Sequence, residues 1–316
     1  MALKPPERVE RVTTLRLALG DLQVAALKLR VREDARHFTE LPTAGLAWDE
    51  PPDLPAALDG TLTRAQPVAT RLPRFAWGRR YFRYVARQYA LQTVDLTRSF
   101  DHYVHKFSPK TRATLRRKVR RVAVACGGNP DVREYRTPTE FEQFHVAALA
   151  VSARTYQARL LGLGLPSERH FVETARALAA EDRLRGYLLF VEQLPVAYLL
   201  CTARDAVVFY DHVGHDPDFA FLSPGTVLLY HVLERLMSEG RWRMLDFTAG
   251  EAPHKSLFAT DAVRCADIFC LRRTWRLVAA ARLHALAGDV STGLGAALHS
   301  VGLKSRIKKW LRGAAC

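Results

Sequence analysis

Residues 209–255 read FYDHVGHDPDFAFLSPGTVLLYHVLERLMSEGRWRMLDFTAGEAPHK. A β-branched and aromatic run ends in polar residues, Ser223-Pro224-Gly225 opens a long amphipathic helix, and a second short strand follows before another polar loop. The order is strand, loop, helix, strand. In a parallel or mixed sheet this unit sets backbone N–H groups at a helix N-terminus beside the carboxyl ends of two strands, where an anionic ligand is favoured. An active site is expected here.

Outward from this stretch, the helix spans 224–239 and stops at Gly240, the strand covers 243–247, a short helix lies near 253–259 and a strand near 264–272. Upstream, three strands at 185–192, 195–203 and 206–213 are joined by tight turns at Gln193-Leu194 and Arg204-Asp205. Before them come a strand at 132–136, a helix at 137–160 capped near Thr139, and a helix at 167–181. Ser108 as N-cap and Pro109 as first helical residue open another helix, with Leu115, Val119, Val122 and Cys126 on one face until Gly127-Gly128. Residues 79–96 fit a strand or a helix, 41–75 show little periodicity, and 11–31 suggest one or two strands. The tail, 274–316, reads as two helices separated by GDVSTGLG.

With 316 residues, 48% of them apolar, the chain has the material for a real core in one large domain or two small ones. Its 47 Lys and Arg against 32 Asp and Glu leave a net charge of +15, which suits an acidic partner or simply an Arg-rich composition. Cys126, Cys201, Cys265, Cys270 and Cys316 form no CxxC pair and no small-domain disulfide pattern, so a reducing cytoplasm is the expected setting. Arg and Glu interrupt the opening MALKPPERVERVTTLRLALG, which gives it no signal-peptide character, and no 18-residue apolar run occurs. A soluble protein is expected, or one peripheral to the inner face of the membrane.

The order of elements, one strand, two helices, three meandering strands, helix, strand, helix, strand, is similar to the GNAT acyltransferase fold. Ser108-Pro109-Lys110 leading into LRRKVRR, Tyr210-Asp211, Gly214, Asp216, Ser223-Pro224-Gly225, Leu245-Asp246-Phe247, Gly250 and Lys255 together resemble the CelD-like and FemAB-like branch of that superfamily. The resemblance covers about 93–272. It implies an α/β (α+β) fold with a GNAT-like, mostly antiparallel central sheet flanked by helices. Three segments are expected: an N-terminal subdomain at 1–92 (a reduced GNAT-like half), the acyltransferase domain at 93–272, and a basic helical tail at 273–316.

In such a fold a thioester donor enters a splay between two central parallel strands, with its pyrophosphate on the helix that follows. The resemblance places that helix start, and donor binding, at Ser223, Pro224, Gly225 and Thr226, with Lys255 holding a carboxylate or phosphate. An ordinary Ser N-cap and a surface lysine remain the alternatives. Acyl transfer needs a base for the attacking amine and a donor for the oxyanion or leaving thiolate. Tyr210, Asp211, Asp246 and His254 are the catalytic candidates, and Glu251 a substrate contact; each aspartate is equally a candidate strand-end cap or ion-pair partner. His212 and His215, three apart on one strand, point to opposite faces, so no metal is expected. Neither GxSxG nor a Walker loop is present.

Eight of the sixteen residues 106–121 are Lys or Arg. Beside an acyltransferase core, Arg112, Arg116 and Arg120 would meet a donor phosphate or an acidic acyl carrier protein. The tail segment LKSRIKKWLR carries five basic residues beside Leu303, Ile307, Trp310 and Leu311, a pattern that fits an anionic membrane surface or packing on the core. The leading expectation is acyl transfer from an acyl-CoA or acyl-carrier-protein thioester to an amine, or secondarily a hydroxyl. The alternatives are FemAB-like aminoacyl transfer from tRNA to an envelope precursor, and a non-catalytic basic nucleic-acid-binding protein.

Overall fold

A computed structural model describes residues 8–19, 22–155, 164–250 and 252–300. They belong to two compact units, Leu91–Ala262 and Met1–Ala90 with Val263–Cys316. The chain opens in the second of these with strands β1 (Arg8–Leu19), β2 (Leu22–Asp34), β3 (Gly60–Pro67), β4 (Phe75–Trp77) and β5 (Tyr81–Asp95). β1 and β2 are antiparallel, β2 and β3 run parallel from Val31↔Gly60 to Asp34↔Thr63, and β4 pairs with β5. β3 lies inside the segment that shows little periodicity in sequence, because Leu62 is its one large buried apolar side chain.

The Leu91–Ala262 unit holds α1 (Phe100–Val104), α2 (Pro109–Ala125), β6 (Asp131–Tyr135), α3 (Pro138–Arg154), α4 (Arg169–Ala180), β7 (Leu184–Val191), β8 (Leu194–Arg204), β9 (Val207–His215), α5 (Pro224–Glu239), β10 (Met244–Asp246) and α6 (Pro253–Phe258). Its strands lie in the order β6-β7-β8-β9-β10, with the end of β5 beyond β10. All neighbours are antiparallel except β9 and β10. β7 is buried along its whole length, as expected of a strand covered on both faces. Its side chains alternate between two cores. Tyr187, Leu189 and Val191 pack with residues of α2 and α5, whereas Leu184, Leu188 and Phe190 pack with Phe141, Phe144 and Ala148 of α3 and Ala175 and Ala179 of α4.

At the start of β7, the fully buried guanidinium of Arg185 pairs with Asp182 (2.9 Å), Glu134 (3.4 Å) and Glu239 (3.6 Å), joining β6 and the end of α5 to the strand. The cap of α3 is Thr137, not Thr139. Its hydroxyl accepts from Glu140 N, and the Glu140 carboxylate accepts from Thr137 N in return, a reciprocal box that only the earlier threonine can close. α3 ends at Arg154, and 156–160, read as its continuation, lie outside the described residues.

The chain returns to the unit in which it opened along β11 (Asp261–Arg272), antiparallel to β3, and ends its described part in α7 (Trp275–Ser300). α7 is a single helix through Gly288, Gly293 and Gly295 where two helices were expected. A glycine costs about 1 kcal/mol in a helix interior. The helix is already anchored by buried Leu277, Ala281 and Ala285 before it reaches them. The basic segment 303–312 lies outside the described residues.

Candidate active site

β10 meets β9 over just three residue pairs, Met244↔Val207, Leu245↔Val208 and Asp246↔Phe209. There β10 ends, while β9 runs on to His215 paired only with β8. The edge of β9 from Tyr210 onward is therefore free of a strand partner on the β10 side, and the two parallel strands part at Asp246. On its other side β9 carries a bulge: Cys201 faces Tyr210 and Leu200 faces His212, which leaves Asp211 as the extra residue. Asp211 thus sits at a mid-strand irregularity rather than at the strand end expected from sequence.

The Asp211 carboxylate accepts from Thr202 N (2.9 Å) and from the Thr202 hydroxyl (2.7 Å), so it satisfies the N–H that the bulge displaces. Solvent reaches the side chain, yet enough protein surrounds it that its charged form is poorly hydrated. This desolvation pushes its pKa up to about 6; the Thr202 bonds oppose the rise and the charge of Asp246 adds to it. Asp211 and Asp246 therefore share one electrostatic environment. Asp246 is buried and accepts from Thr248 N at 2.6 Å.

Tyr210 is buried, with its hydroxyl 3.4 Å from His254 Nε2 and its ring edge-on to Phe247. Burial holds the phenol protonated far above its ordinary range. Burial, and then the neighbouring Lys255 charge, lower the pKa of His254 and favour its neutral form. The Thr248 hydroxyl donates to Tyr210 O (3.3 Å) across the gap between the strands. Lys255 Nζ donates to Phe247 O (2.7 Å) and Ala249 O (3.4 Å), so it ties down the loop after β10 where an anion contact was expected. Glu251 lies outside the described residues. Thr202 and Thr248 have no signature in sequence, since their roles depend on cross-strand register.

Ser223 precedes α5 with φ 56°, in the left-handed region, and makes no side-chain cap bond, unlike an ordinary Ser N-cap. Its carbonyl accepts from Thr226 N (3.0 Å) and Val227 N (3.2 Å). Pro224 has no N–H, so Gly225 supplies the outward donor of this helix end. A Cβ on Gly225 would lie 3.9 Å from His215 Nδ1, with no other heavy atom nearer. His215 stands beside α5 and His212 packs edge-on against Phe171. Among the described residues no group of three His, Cys, Asp or Glu side chains is placed to hold a metal ion. On α2, Arg112 is held to Phe107 O (3.1 Å), whereas Arg116 and Arg120 are exposed. A surface cavity of about 370 Å³ lined by Asp95, Arg98, His102, Tyr103, His105, Lys106, Thr260 and Asp261 includes none of these residues.

Residues 109–256 match the family described as the acetyltransferase (GNAT) domain. This segment of the chain is GNAT-like. The matched segment holds β9, α5, β10 and most of α6, the elements that build the bulge and the parting strands. No curated protein matches the chain. Among solved structures, it is similar to the C-terminal domain of a putative lysylphosphatidylglycerol synthetase from Agrobacterium fabrum, at 13% identity, 72% of each chain and a TM-score of 0.47. L-PGS from Bacillus licheniformis is similar at 12% identity over 72% of this chain and 73% of that one, with a TM-score of 0.44. FemX is similar at 9% identity over 60% of this chain and 62% of that one, also with a TM-score of 0.44.

Proposed function

We propose that the GNAT domain transfers an acyl group from a thioester, acyl-CoA or acyl carrier protein, to an amine, with the chemistry at the parting of β9 and β10. The observation that carries this reading is the parting of β9 from β10 at Asp246, with Asp211, which feels the Asp246 charge, on the strand that runs on. Open backbone groups along that edge suit the amides of a pantetheine arm laid along a strand. The left-handed Ser223 stores strain at the helix start that would face the donor phosphates, a place where such strain is tolerated for function. The amine nitrogen attacks the thioester carbonyl, the C–N bond forms and the C–S bond breaks. Asp211 takes the proton of the attacking amine, and the Tyr210 hydroxyl, beside His254, supplies one to the departing thiolate.

One observation favours a second reading, aminoacyl transfer from tRNA. Arg116, Arg117, Arg120 and Arg121 of α2 are exposed and form no ion pair among the described residues, and the helix start offers few N–H groups for a pyrophosphate. Thermal unfolding with a panel of acyl-CoAs, an acyl carrier protein and tRNA separates the two. A thioester that binds the native state raises Tm. Stabilisation by tRNA with no response to any thioester overturns the first reading in favour of the second.

A further inference from the structure

We propose that the outward face of α7 is a docking surface for an anionic phospholipid bilayer. Leu277, Ala281 and Ala285 turn one face of this helix into its own unit, where they are buried. At about 100° per residue, Trp275, Ala279, Leu283, Leu286 and Val290 fall within about 80° of one another on the opposite side. They are open to solvent: Trp275 is 86% exposed, Leu283 55%, Leu286 60% and Val290 55%. A stripe of large apolar side chains left in water on a helix already anchored by its other face marks an interaction surface.

The charges around the stripe decide its partner. By the same helical geometry Arg276 borders it on one side and Arg282 on the other. Arg282 lies 5.7 Å over the ring of Trp77, itself 45% exposed, and Arg273 lies 5.8 Å over the same ring. None of Arg273, Arg276 and Arg282 forms an ion pair among the described residues. Asp289, the one acid on α7, is bound to Arg74 at 2.7 Å. The patch is therefore cationic at its rim and aliphatic at its centre, with two tryptophans. Anionic headgroups match the rim, indole rings suit the headgroup level, and aliphatic side chains gain from the acyl boundary. Nucleic acid would match the arginines but leave Leu283, Leu286 and Val290 unsatisfied. No described helix is long and apolar enough to cross a membrane, so the contact is one of lying on the surface.

Full-length protein is sedimented with phosphatidylcholine vesicles and with vesicles containing phosphatidylglycerol. Binding is expected only to the anionic vesicles, with a blue shift in tryptophan emission that Trp275→Phe diminishes. The triple variant Trp275→Ser, Leu283→Gln, Leu286→Gln alters only exposed positions, and should keep its circular dichroism and Tm while losing at least about tenfold in partitioning. Arg276→Gln with Arg282→Gln should weaken binding and flatten its salt dependence. Undiminished binding by the folded triple variant overturns the proposal. So does binding lost to Lys304→Gln, Lys308→Gln and Lys309→Gln while the triple variant binds normally, since residues 303–312 would then be the lipid contact. A wild-type dimer that the triple variant converts to monomer, without vesicle binding by either, assigns the face to a second copy and also overturns it.

Discussion

Among the described strand pairings each of the two units contains one parallel pair, and a carboxylate near each pair is treated in opposite ways. In β2–β3 the buried Glu33 lies within the pairing and is clamped by Arg64 at 3.0 Å and Arg11 at 3.3 Å. In β9–β10 the pairing stops after three residues, and Asp211 just beyond it has hydroxyl and amide donors but, among the described residues, no cation. A carboxylate held between two guanidinium groups ties strands together and belongs to the fold. One held near neutrality by poor hydration is able to take up and release a proton near physiological pH. On the proposed function, the difference separates a structural parallel pair from one at the reaction site.

The largest expected effect comes from reversing that distinction at Asp211. Asp211→Asn keeps an oxygen for Thr202 but removes the charge, so turnover with a stabilising thioester should fall about 10²-fold or more while donor affinity persists. Glu33→Gln should lower Tm and leave turnover per folded molecule unchanged. In wild type, the rate should rise with pH through about 6, where Asp211 loses its proton. The sign for stability is opposite. The folded state holds this proton more tightly than the ordinary value of 3.8, so the Asp211 contribution declines as pH rises from about 4 to about 6 and is constant above. Asp211→Asn should remove both the rate limb and this part of the stability profile. Full turnover in the variant would shift the base role to Asp246 or His254.

Much of this contrast was legible in the residues, but not its sharpest point. α5 was delimited at both ends, 224 and 239, because Pro at the first helical position and Gly after the last fix helix ends by local chemistry. The three meandering strands were legible because their apolar runs are separated by turns that need left-handed residues, as at Gln193 and Asp205. The bulge was not. It is a one-residue slip between β8 and β9, set by how two strands align and not by either alone. The partners of Lys255 were out of reach for a related reason, since a lysine beside an expected site gives no sign in sequence of which backbone carbonyls it meets.

Two substitutions of intermediate effect sharpen the contrast through stability rather than rate. Arg185→Met should cost about 3 kcal/mol, because Glu134, Asp182 and Glu239 lose a fully buried partner. Gly60→Ala should cost about 1–3 kcal/mol, because its Cβ would lie 2.1 Å from Cys270 O and force β3 and β11 apart. Chemical denaturation measures both. If the clamped unit only supports the fold, thioester turnover per folded Gly60→Ala molecule stays at the wild-type level; a fall in it with full folding would give β3 a part in the chemistry.

The smallest effect is expected at the helix start. Gly225 supplies the outward N–H of α5, with Pro224 lacking one and the next two amides turned to Ser223 O. A single donor gives a weak grip on a pyrophosphate, so its disturbance should be felt in donor affinity and little in the bound complex. There is room for a side chain, since the nearest heavy atom to a Cβ is 3.9 Å away at His215. Gly225→Val should therefore fold, and its branched side chain should crowd only what approaches from outside. The dissociation constant of the stabilising thioester should rise about three- to tenfold by calorimetry, with the single-turnover rate at saturation close to wild type. An unchanged constant would mean that the donor phosphates do not touch this helix end, and the parting strands alone would have to hold the donor. A saturating rate that falls as the constant rises would place Gly225 beside the reacting thioester instead of its phosphates.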